Sequence, residues 1–256
     1  MTGEILEANN LYKIYGNNKE EVAALNGVTV KINEGEFICI MGPSGSGKST
    51  LINILSTIDA PTRGTVRFRG KNLLSMKERE ISKFRYENLG FIFQDFNLVD
   101  NLTIRENIAV PLILASMSSK DIEERIKNIA NKLDIEKILN KYPSQCSGGQ
   151  NQRAACARAL VTNPKIIVAD EPTGNLDTKN SHQLLKMMQK LNEEDGITIV
   201  MVTHDNMIAS YSKKLIFIRD GKMDEVVERA GRTQKEYFYN IVDITSKESQ
   251  NLIDIL

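Results

Sequence analysis

The sequence predicts an α/β fold in which buried, largely parallel strands follow a run of antiparallel strands and are interrupted by a helical insertion. Three observations carry this reading. First, GPSGSGKST at Gly42–Thr50 follows the apolar run Phe37-Ile38-Cys39-Ile40-Met41 and precedes a helical apolar pattern at Leu51, Ile52, Ile54 and Leu55, which reads as strand, loop, helix. Second, Ile166 to Ala169 and Ile197 to Thr203 are apolar on both faces, as fully buried strands are, and each ends in polar residues: Asp170-Glu171-Pro172 and His204. Third, Ile104 to Ala115 and Lys120 to Leu133, lying between these strands, carry helical spacing.

The loop after the first buried strand has the chemistry of an anion cradle. It fits G-x-x-x-x-G-K-[ST] at Gly42, Gly47, Lys48 and Ser49, with Ser44 and Gly45 between the outer glycines. Glycines let the loop wrap so that consecutive N–H groups and a helix N-terminus face one anion, here the phosphates of a nucleotide. Lys48 is expected to reach the β- and γ-phosphates, Ser49 to offer its hydroxyl to Mg²⁺, and Thr50 to sit over the α-phosphate.

Composition narrows the alternatives. The 256 residues suffice for one large α/β domain or for one domain with a subdomain. Lys plus Arg and Asp plus Glu both number 33, so no overall basic field calls for nucleic acid. Cys39, Cys146 and Cys156 form no CxxC pair, and with two histidines they make neither a disulfide framework nor a zinc set, which fits a reducing compartment. MTGEILEANN has neither the basic nor the apolar region of a signal peptide, and no apolar run approaches membrane-spanning length. The expectation is a chain that is neither secreted nor membrane-spanning by itself.

In chain order, Ile5 to about Phe37 reads as antiparallel strands with turns at Gly16-Asn17-Asn18 and Asn33-Glu34-Gly35. Tyr15, just before the first turn, is the available flat ring for a purine. A helix runs to about Ser56, and Pro61-Thr62-Arg63-Gly64 turns into a strand at Thr65 to Arg69. Glu78 to Tyr86 reads as a charged helix and Leu89 to Phe93 as a buried strand ending at Gln94. The loop Asp95 to Arg105 carries Phe96, Leu98, Val99 and Leu102, which must be hidden in its own core or in another molecule. A proline segment at Lys141 to Gln145 closes the helical region, and a serine cap at Ser147 with two glycines opens a helix over Asn151 to Leu160. Thr178 to Asn192 reads as a helix, Leu215 to Ile218 and Gly221 to Val227 as a hairpin about Asp220-Gly221, and Arg229 to Leu256 as a mixed-charge tail.

The strand ends form the second half of the chemistry. Asp170, at the end of an apolar strand, is placed to orient Mg²⁺, and Glu171 beside it is a candidate general base for water. Gln94 and His204 end buried strands of the same expected sheet. Ser147, Gly148, Gly149 and Gln150 open a helix and make a second anion site from free N–H groups and a dipole. Two phosphate sites and one nucleotide are reconciled by a head-to-tail dimer in which the second site of each subunit closes on the γ-phosphate held by the other.

With GPSGSGKST, Gln94, CSGGQ, IIVADEP, Gly174-Asn175-Leu176-Asp177 and His204 in this order, residues 4 to 227 resemble the ATP-binding-cassette ATPases. The resemblance implies the P-loop NTPase fold of that family: a RecA-like core sheet, an antiparallel β subdomain and an inserted helical subdomain at about 95–160. The ATPase domain would cover 1–228 and the tail 229–256. It further implies that Tyr15 stacks on adenine, that Lys48, Ser49 and Thr50 hold phosphates and Mg²⁺, and that Gln94 links Mg²⁺ to the transport partner. Asp170 would orient the metal, Glu171 activate water, His204 hold the γ-phosphate, and Asp177 act across the dimer. Ser147 and Gly149 would cap the partner subunit's nucleotide. The signature begins at Cys146, where the family usually has Leu; both are apolar and can pack behind the loop.

Within the family, RFRYENLGFIFQDFNLVDNLTIRENIAVPL, DEPTGNLDTKNSHQLL and the segments VTHD and YSKKLIFIRDGKM resemble the branch serving lipoprotein-release and peptide-resistance permeases, and the tail segment RTQKEYFYNIVDI most resembles the bacitracin-resistance type. That resemblance implies an ATP- and Mg²⁺-dependent homodimer at the cytoplasmic face of the membrane, bound to an integral permease and through it to a sensor histidine kinase, with no nucleic acid. The alternatives are a lipoprotein-release or cell-division ATPase, or a soluble cassette acting on ribosomes or DNA. Soluble cassettes usually carry two cassettes in one chain or a long coiled-coil insertion, and neither is present here.

Overall fold

A computed structural model describes residues 3–16 and 21–253, so Asn17 and Asn18 of the first expected turn lie outside the described residues. The chain divides into two compact units, Met1–Ser75 with Val200–Leu256, and Met76–Ile199.

In the first unit, β1 (Glu4–Tyr15) pairs antiparallel with β2 (Val22–Asn33), placing Leu6 opposite Ile32 and Ala8 opposite Val30. On its other side β1 pairs with β4 (Arg63–Phe68), which continues to the short β5 (Lys71–Asn72). The strand β4 starts two residues before the expected Thr65 and stops at Phe68, because Arg69 and Gly70 take left-handed φ values of 46° and 80° and turn the chain. β3 (Phe37–Met41) is buried at every residue and runs parallel to β9 (Lys214–Arg219), with Met41 beside Phe217; β9 makes the expected hairpin with β10 (Lys222–Glu228). The helix α1 (Lys48–Leu55) leaves the loop after β3, burying the four residues that signalled it: Leu51, Ile52, Ile54 and Leu55.

In the second unit, α2 (Glu78–Asn88) leads into β6 (Leu89–Phe93), which runs parallel to β7 (Ile166–Asp170) in a register pairing Phe93 with Asp170. Between these strands lie α3 (Ile104–Leu114), α4 (Ser119–Lys132) and α5 (Gly148–Leu160). A Cβ at Gly90 would stand 2.5 Å from the carbonyl oxygen of Ala159, so glycine is what allows α5 to lie against β6. The helix α6 (Thr178–Asp195) runs three residues beyond the expected end, because Gly196 supplies the left-handed cap at φ 67° and donates its N–H to Leu191. β8 (Thr198–Val202), shorter by one residue at each end than expected, is divided between the units at Val200.

The segment expected to be a tail is structured. After the short α7 (Asn206–Ala209), α8 (Gln234–Ile253) packs into the first unit through Tyr237 and Ile241, both fully buried, and Ile244. Tyr237 donates its hydroxyl to the Val227 carbonyl at 3.1 Å, and burial pushes its phenol up to about 12. The apolar positions follow an i, i+4, i+7 spacing, which the surrounding charges of RTQKEYFYNIVDI obscure in the sequence.

Removing the Tyr237 ring therefore leaves a core void. Tyr237→Ala is expected to destabilise the protein by about 3–5 kcal/mol, the range for large buried aromatics. Tyr239→Ala, at a side chain 55% exposed, should stay within about 0.5 kcal/mol. Urea unfolding of both variants distinguishes a packed helix from a loose tail.

Candidate functional site

The expected site residues fall into two sets. Tyr15, Gly42, Ser44, Gly45, Gly47, Lys48, Ser49, Thr50 and His204 belong to the first unit; Gln94, Ser147, Gly148, Gly149, Gln150, Asp170, Glu171 and Asp177 belong to the second.

In the first set, the loop between β3 and α1 is held by backbone contacts that admit no side chain. Gly42 has φ 153°, and a Cβ there would lie 2.0 Å from the Ile218 carbonyl oxygen; Gly47 has φ 100°, and its Cβ would lie 2.3 Å from that of Ala24. The Lys48 ammonium folds back on the loop, donating to the carbonyls of Gly42 at 2.8 Å and Pro43 at 2.7 Å. Gly47 caps α1 with no side-chain hydrogen bond, and the first turn contains no acid. A helix N-terminus of this kind presents N–H groups and a positive dipole end to an incoming anion. The buried Ser46 hydroxyl also has no hydrogen-bond partner. These features fit the phosphates of a nucleotide.

His204 is exposed immediately beyond β8, and Thr203 before it donates its N–H to Ile40, two residues ahead of Gly42. Tyr15 ends β1 with its ring 42% exposed, and donates its hydroxyl to Asp59 at 2.7 Å. The sequence gives no local sign of Asp59, 44 residues away.

In the second set, Gln94 follows β6 and Asp170 ends the neighbouring β7. Glu171 takes φ 45°, a conformation a non-glycine residue adopts only where its surroundings impose it, and the turn is closed by Gly174 donating to the Glu171 carbonyl at 3.0 Å. Gly174 leaves space for Gln94, whose Cδ would be 2.6 Å from an added Cβ. Asn175 donates from its side chain to the Gln94 carbonyl at 3.1 Å and to the Asp95 carboxylate at 2.8 Å. The fully buried Gln152 donates to the Pro172 carbonyl at 2.7 Å, joining α5 to the segment that follows the two acids. Asn175 was named in the sequence only as part of a motif and Gln152 not at all, because their partners lie far along the chain.

Ser147 caps α5 in a capping box: its hydroxyl accepts from the Gln150 N–H at 3.3 Å, and the Gln150 side chain accepts from the Ser147 N–H at 2.9 Å. The Ser147 oxygen is thus engaged at the helix start, and the first-turn N–H groups at Gly148 and Gly149 have no partner within the helix ladder. The two glycines serve different ends. At Gly148 an added Cβ meets ordinary contacts of 3.6 Å and beyond, whereas at Gly149 it would stand 2.3 Å from Oδ1 of Asn180. Asn180 in turn donates its N–H at 2.7 Å and its side-chain amide at 2.8 Å to Asp177, the cap of α6. Those bonds hold the Asp177 carboxyl below the ordinary carboxylate range. Cys146 is half-buried, and burial pushes its thiol up.

The loop after Gln94 is built rather than loose. The Arg158 guanidinium donates to the carbonyls of Phe96 and Asn97, residues held at φ 58° and 50°. The buried Asn107 side chain accepts from the Val99 N–H at 2.7 Å and donates to the carbonyls of Val99, Leu102 and Thr103 at 3.0–3.1 Å. Phe96, Leu98 and Leu102 are half-buried, while Val99, Ile113 and Leu114 are 45%, 59% and 80% exposed. Among the described residues no group of three or more His, Cys, Asp or Glu forms a metal set, and no helix is long and apolar enough to cross a membrane. A hard cation here would draw its ligands from hydroxyl, amide and phosphate oxygens beside a carboxylate.

A phosphate loop of this geometry, a strand-end acid pair and a capped Ser-Gly-Gly helix define a nucleotide-binding cassette. The chain matches the ABC transporter family over residues 25–174 and belongs to it. It is similar to the bacitracin export ATP-binding protein BceA of Halalkalibacterium halodurans, 46% identical over 240 residues, which are 93% of this chain and 94% of that protein. It is also similar to the macrolide export ATP-binding/permease protein MacB of Syntrophobacter fumaroxidans, at 40% identity over 86% of this chain and 31% of that larger protein. Among solved structures it resembles the dimeric, post-hydrolysis state of the ATP-binding cassette MJ0796 bound to ADP and Pi, from Methanocaldococcus jannaschii, with a TM-score of 0.80 and 41% identity over 88% of this chain and 98% of that one.

The contact between Gly149 and Asn180 generates a testable asymmetry. Gly149→Ala should destabilise the protein by about 1–3 kcal/mol through overpacking, and Asn180→Ala in the same chain should recover most of that loss. Gly148→Ala should melt close to the parent. Thermal melts of the three variants check it.

Proposed function

We propose that this chain is an ATPase subunit that hydrolyses ATP as a homodimer to power a separate membrane permease, in resistance to peptide antibiotics of the bacitracin type. The observation that carries the ATP-binding part is the uncapped, acid-free N-terminus of α1 behind the glycines of the phosphate loop. In this reading Tyr15 stacks on the adenine, while Gly42, Ser44, Gly45, Gly47, Lys48, Ser49 and Thr50 receive the phosphates. Glu171 accepts the proton of the attacking water, and His204 donates to the γ-phosphate. Ser147, Gly148, Gly149, Gln150 and Asp177 face the nucleotide of the partner subunit. Mg²⁺ supplies charge neutralisation on the phosphates, with Ser49, Gln94 and Asp170 as its assigned oxygen donors.

The dimeric MJ0796 cassette supports the shared-site arrangement, and similarity to an export ATP-binding protein across nearly the whole chain supports a permease partner. The half-buried apolar residues of the loop after Gln94, together with exposed Val99, supply a surface that an apolar segment of such a permease would cover, and Ile113 and Leu114 at the end of α3 are exposed as well. Peripheral attachment to the cell membrane, and communication with a sensor histidine kinase, would both pass through that permease.

Glu171→Gln is the direct test. It keeps shape and removes the base, so hydrolysis should fall by about 10²- to 10⁴-fold, the usual contribution of general base catalysis, while ATP affinity is retained. Size-exclusion chromatography with ATP and Mg²⁺ should then show a stable dimer. Hydrolysis near the parent rate with only monomer present would remove both the base and the shared site from the account.

A further inference from the structure

We propose that Lys13 and Asp59 are positioning residues that clamp the Tyr15 ring as the purine platform and tie it to the helix that carries the phosphate loop. The proposal rests on the reading of Tyr15 as that platform.

A tyrosine at a strand end with 42% of its surface exposed is only partly held by packing. Here the ring is held at the tip and on one face. Its hydroxyl donates to one Asp59 oxygen at 2.7 Å, and the other Asp59 oxygen accepts from the Lys13 ammonium at 2.7 Å. The same ammonium donates to the Ala60 carbonyl at 2.7 Å and lies 4.8 Å from the centroid of the Tyr15 ring. An ammonium has three protons. Two go to these oxygens, and the charge stands over the ring in cation–π geometry, which leaves the opposite face for a base. The Lys13 side chain is 14% exposed, so solvent screens this pair less than a surface ion pair. Burial alone would raise the Asp59 carboxyl, but the Lys13 ammonium, the Tyr15 hydroxyl and the Ala60 N–H together hold it below its ordinary value, so the clamp is ionised at neutral pH.

The clamp also has a fixed base. The N–H groups of Ile58 and Asp59 both donate to the Asn53 carbonyl, at 2.8 and 3.1 Å, and Asn53 lies on α1, which starts at Lys48. A second pair of bonds repeats the link: Ile14 N–H to the Thr62 hydroxyl at 3.0 Å, and Thr62 N–H to the Tyr12 carbonyl at 2.7 Å. The end of β1 and the last turn of α1 are therefore parts of one hydrogen-bonded frame, which links the base platform to the helix that begins at the phosphate cradle. Because the Tyr15 hydroxyl is engaged by Asp59, the ring is left to contact a purine by its face and not its edge, so ATP and GTP should feel the clamp alike.

The experiment is calorimetric titration with ATP, GTP and inorganic tripolyphosphate, each with Mg²⁺, on the parent, Tyr15→Phe, Asp59→Asn, Lys13→Met and Tyr15→Ala. Tyr15→Phe removes one hydroxyl and threatens the fold least. Tyr15→Phe, Asp59→Asn and Lys13→Met should each weaken ATP and GTP by about three- to tenfold, corresponding to roughly 1 kcal/mol, with tripolyphosphate affinity unchanged. KM for ATP should rise with kcat preserved, and Tyr15→Phe combined with Asp59→Asn should be no weaker than Asp59→Asn alone, as expected of residues acting through one contact. An equal loss of tripolyphosphate affinity in Asp59→Asn would show that Asp59 acts on the phosphate loop through α1 and would overturn the clamp. Parent affinity in Tyr15→Phe and Asp59→Asn, with loss in Tyr15→Ala, would overturn the clamp and leave the platform standing. Parent affinity in Tyr15→Ala would remove the platform itself.

Discussion

The first unit depends on one steric constraint: the chain between β3 and α1 must pass so close to neighbouring backbone that Gly42 and Gly47 have no space for a Cβ, at 2.0 Å from Ile218 and 2.3 Å from Ala24. The strands behind those carbonyls are fixed by their own pairing, so the loop has one path. That path aims the N-terminus of α1 outward with neither a capping side chain nor an acid in the first turn. Five other helix starts are capped by side chains: Thr103, Ser118, Ser147, Asp177 and Asp205 each accept from a first-turn N–H, while α2 has no such bond at Lys77 but carries Glu78 and Glu80 in its first turn. A start with neither cap nor acid, as at α1, has a chemical reason if an anion takes the place of the cap.

The second unit follows a different rule, in which side-chain amides hold the loops in shape. Asn107 fastens the segment from Val99 to Thr103, Asn175 fastens Gln94 and Asp95, Gln152 fastens Pro172, and Asn180 fastens Asp177. An amide both donates and accepts, so a single side chain satisfies several backbone groups that a loop leaves unpaired. The Gly149 contact with Asn180 joins the start of α5 to the start of α6 by the same residue that caps Asp177. A displacement at one of these helix starts is therefore felt at the other, which suits two segments assigned to the same nucleotide.

The buried strands and the phosphate loop were legible in the sequence because their signals are local: apolar runs such as Phe37 to Met41 and Ile166 to Ala169, and glycines at fixed spacing beside Lys48. Leu89–Phe93 appears with the expected bounds. What could not be read were residues whose partners lie far along the chain. Asp59 meets Tyr15 across 44 positions, Asn175 meets Asp95 across 80, and Arg158 meets Phe96 across 62. The helix α8 was missed for another reason, since Tyr237, Ile241 and Ile244 make a narrow apolar stripe that charged neighbours conceal. The position of Ser147 at a helix start was legible; its reciprocal bond with Gln150 was signalled by the S-x-x-Q spacing but not drawn from it.

The central claim is that the uncapped start of α1 and its lysine form a nucleotide-phosphate site, and calorimetric titration of Lys48→Met with ATP and Mg²⁺ tests it most directly. Lys48 donates to the carbonyls of Gly42 and Pro43 at 2.8 and 2.7 Å, and methionine keeps the length and apolar body of the side chain while removing its charge. The account predicts an ATP affinity at least about tenfold weaker, equivalent to about 1.4 kcal/mol, with an unchanged melting temperature in the absence of nucleotide. Parent affinity for ATP in a folded Lys48→Met protein would contradict it.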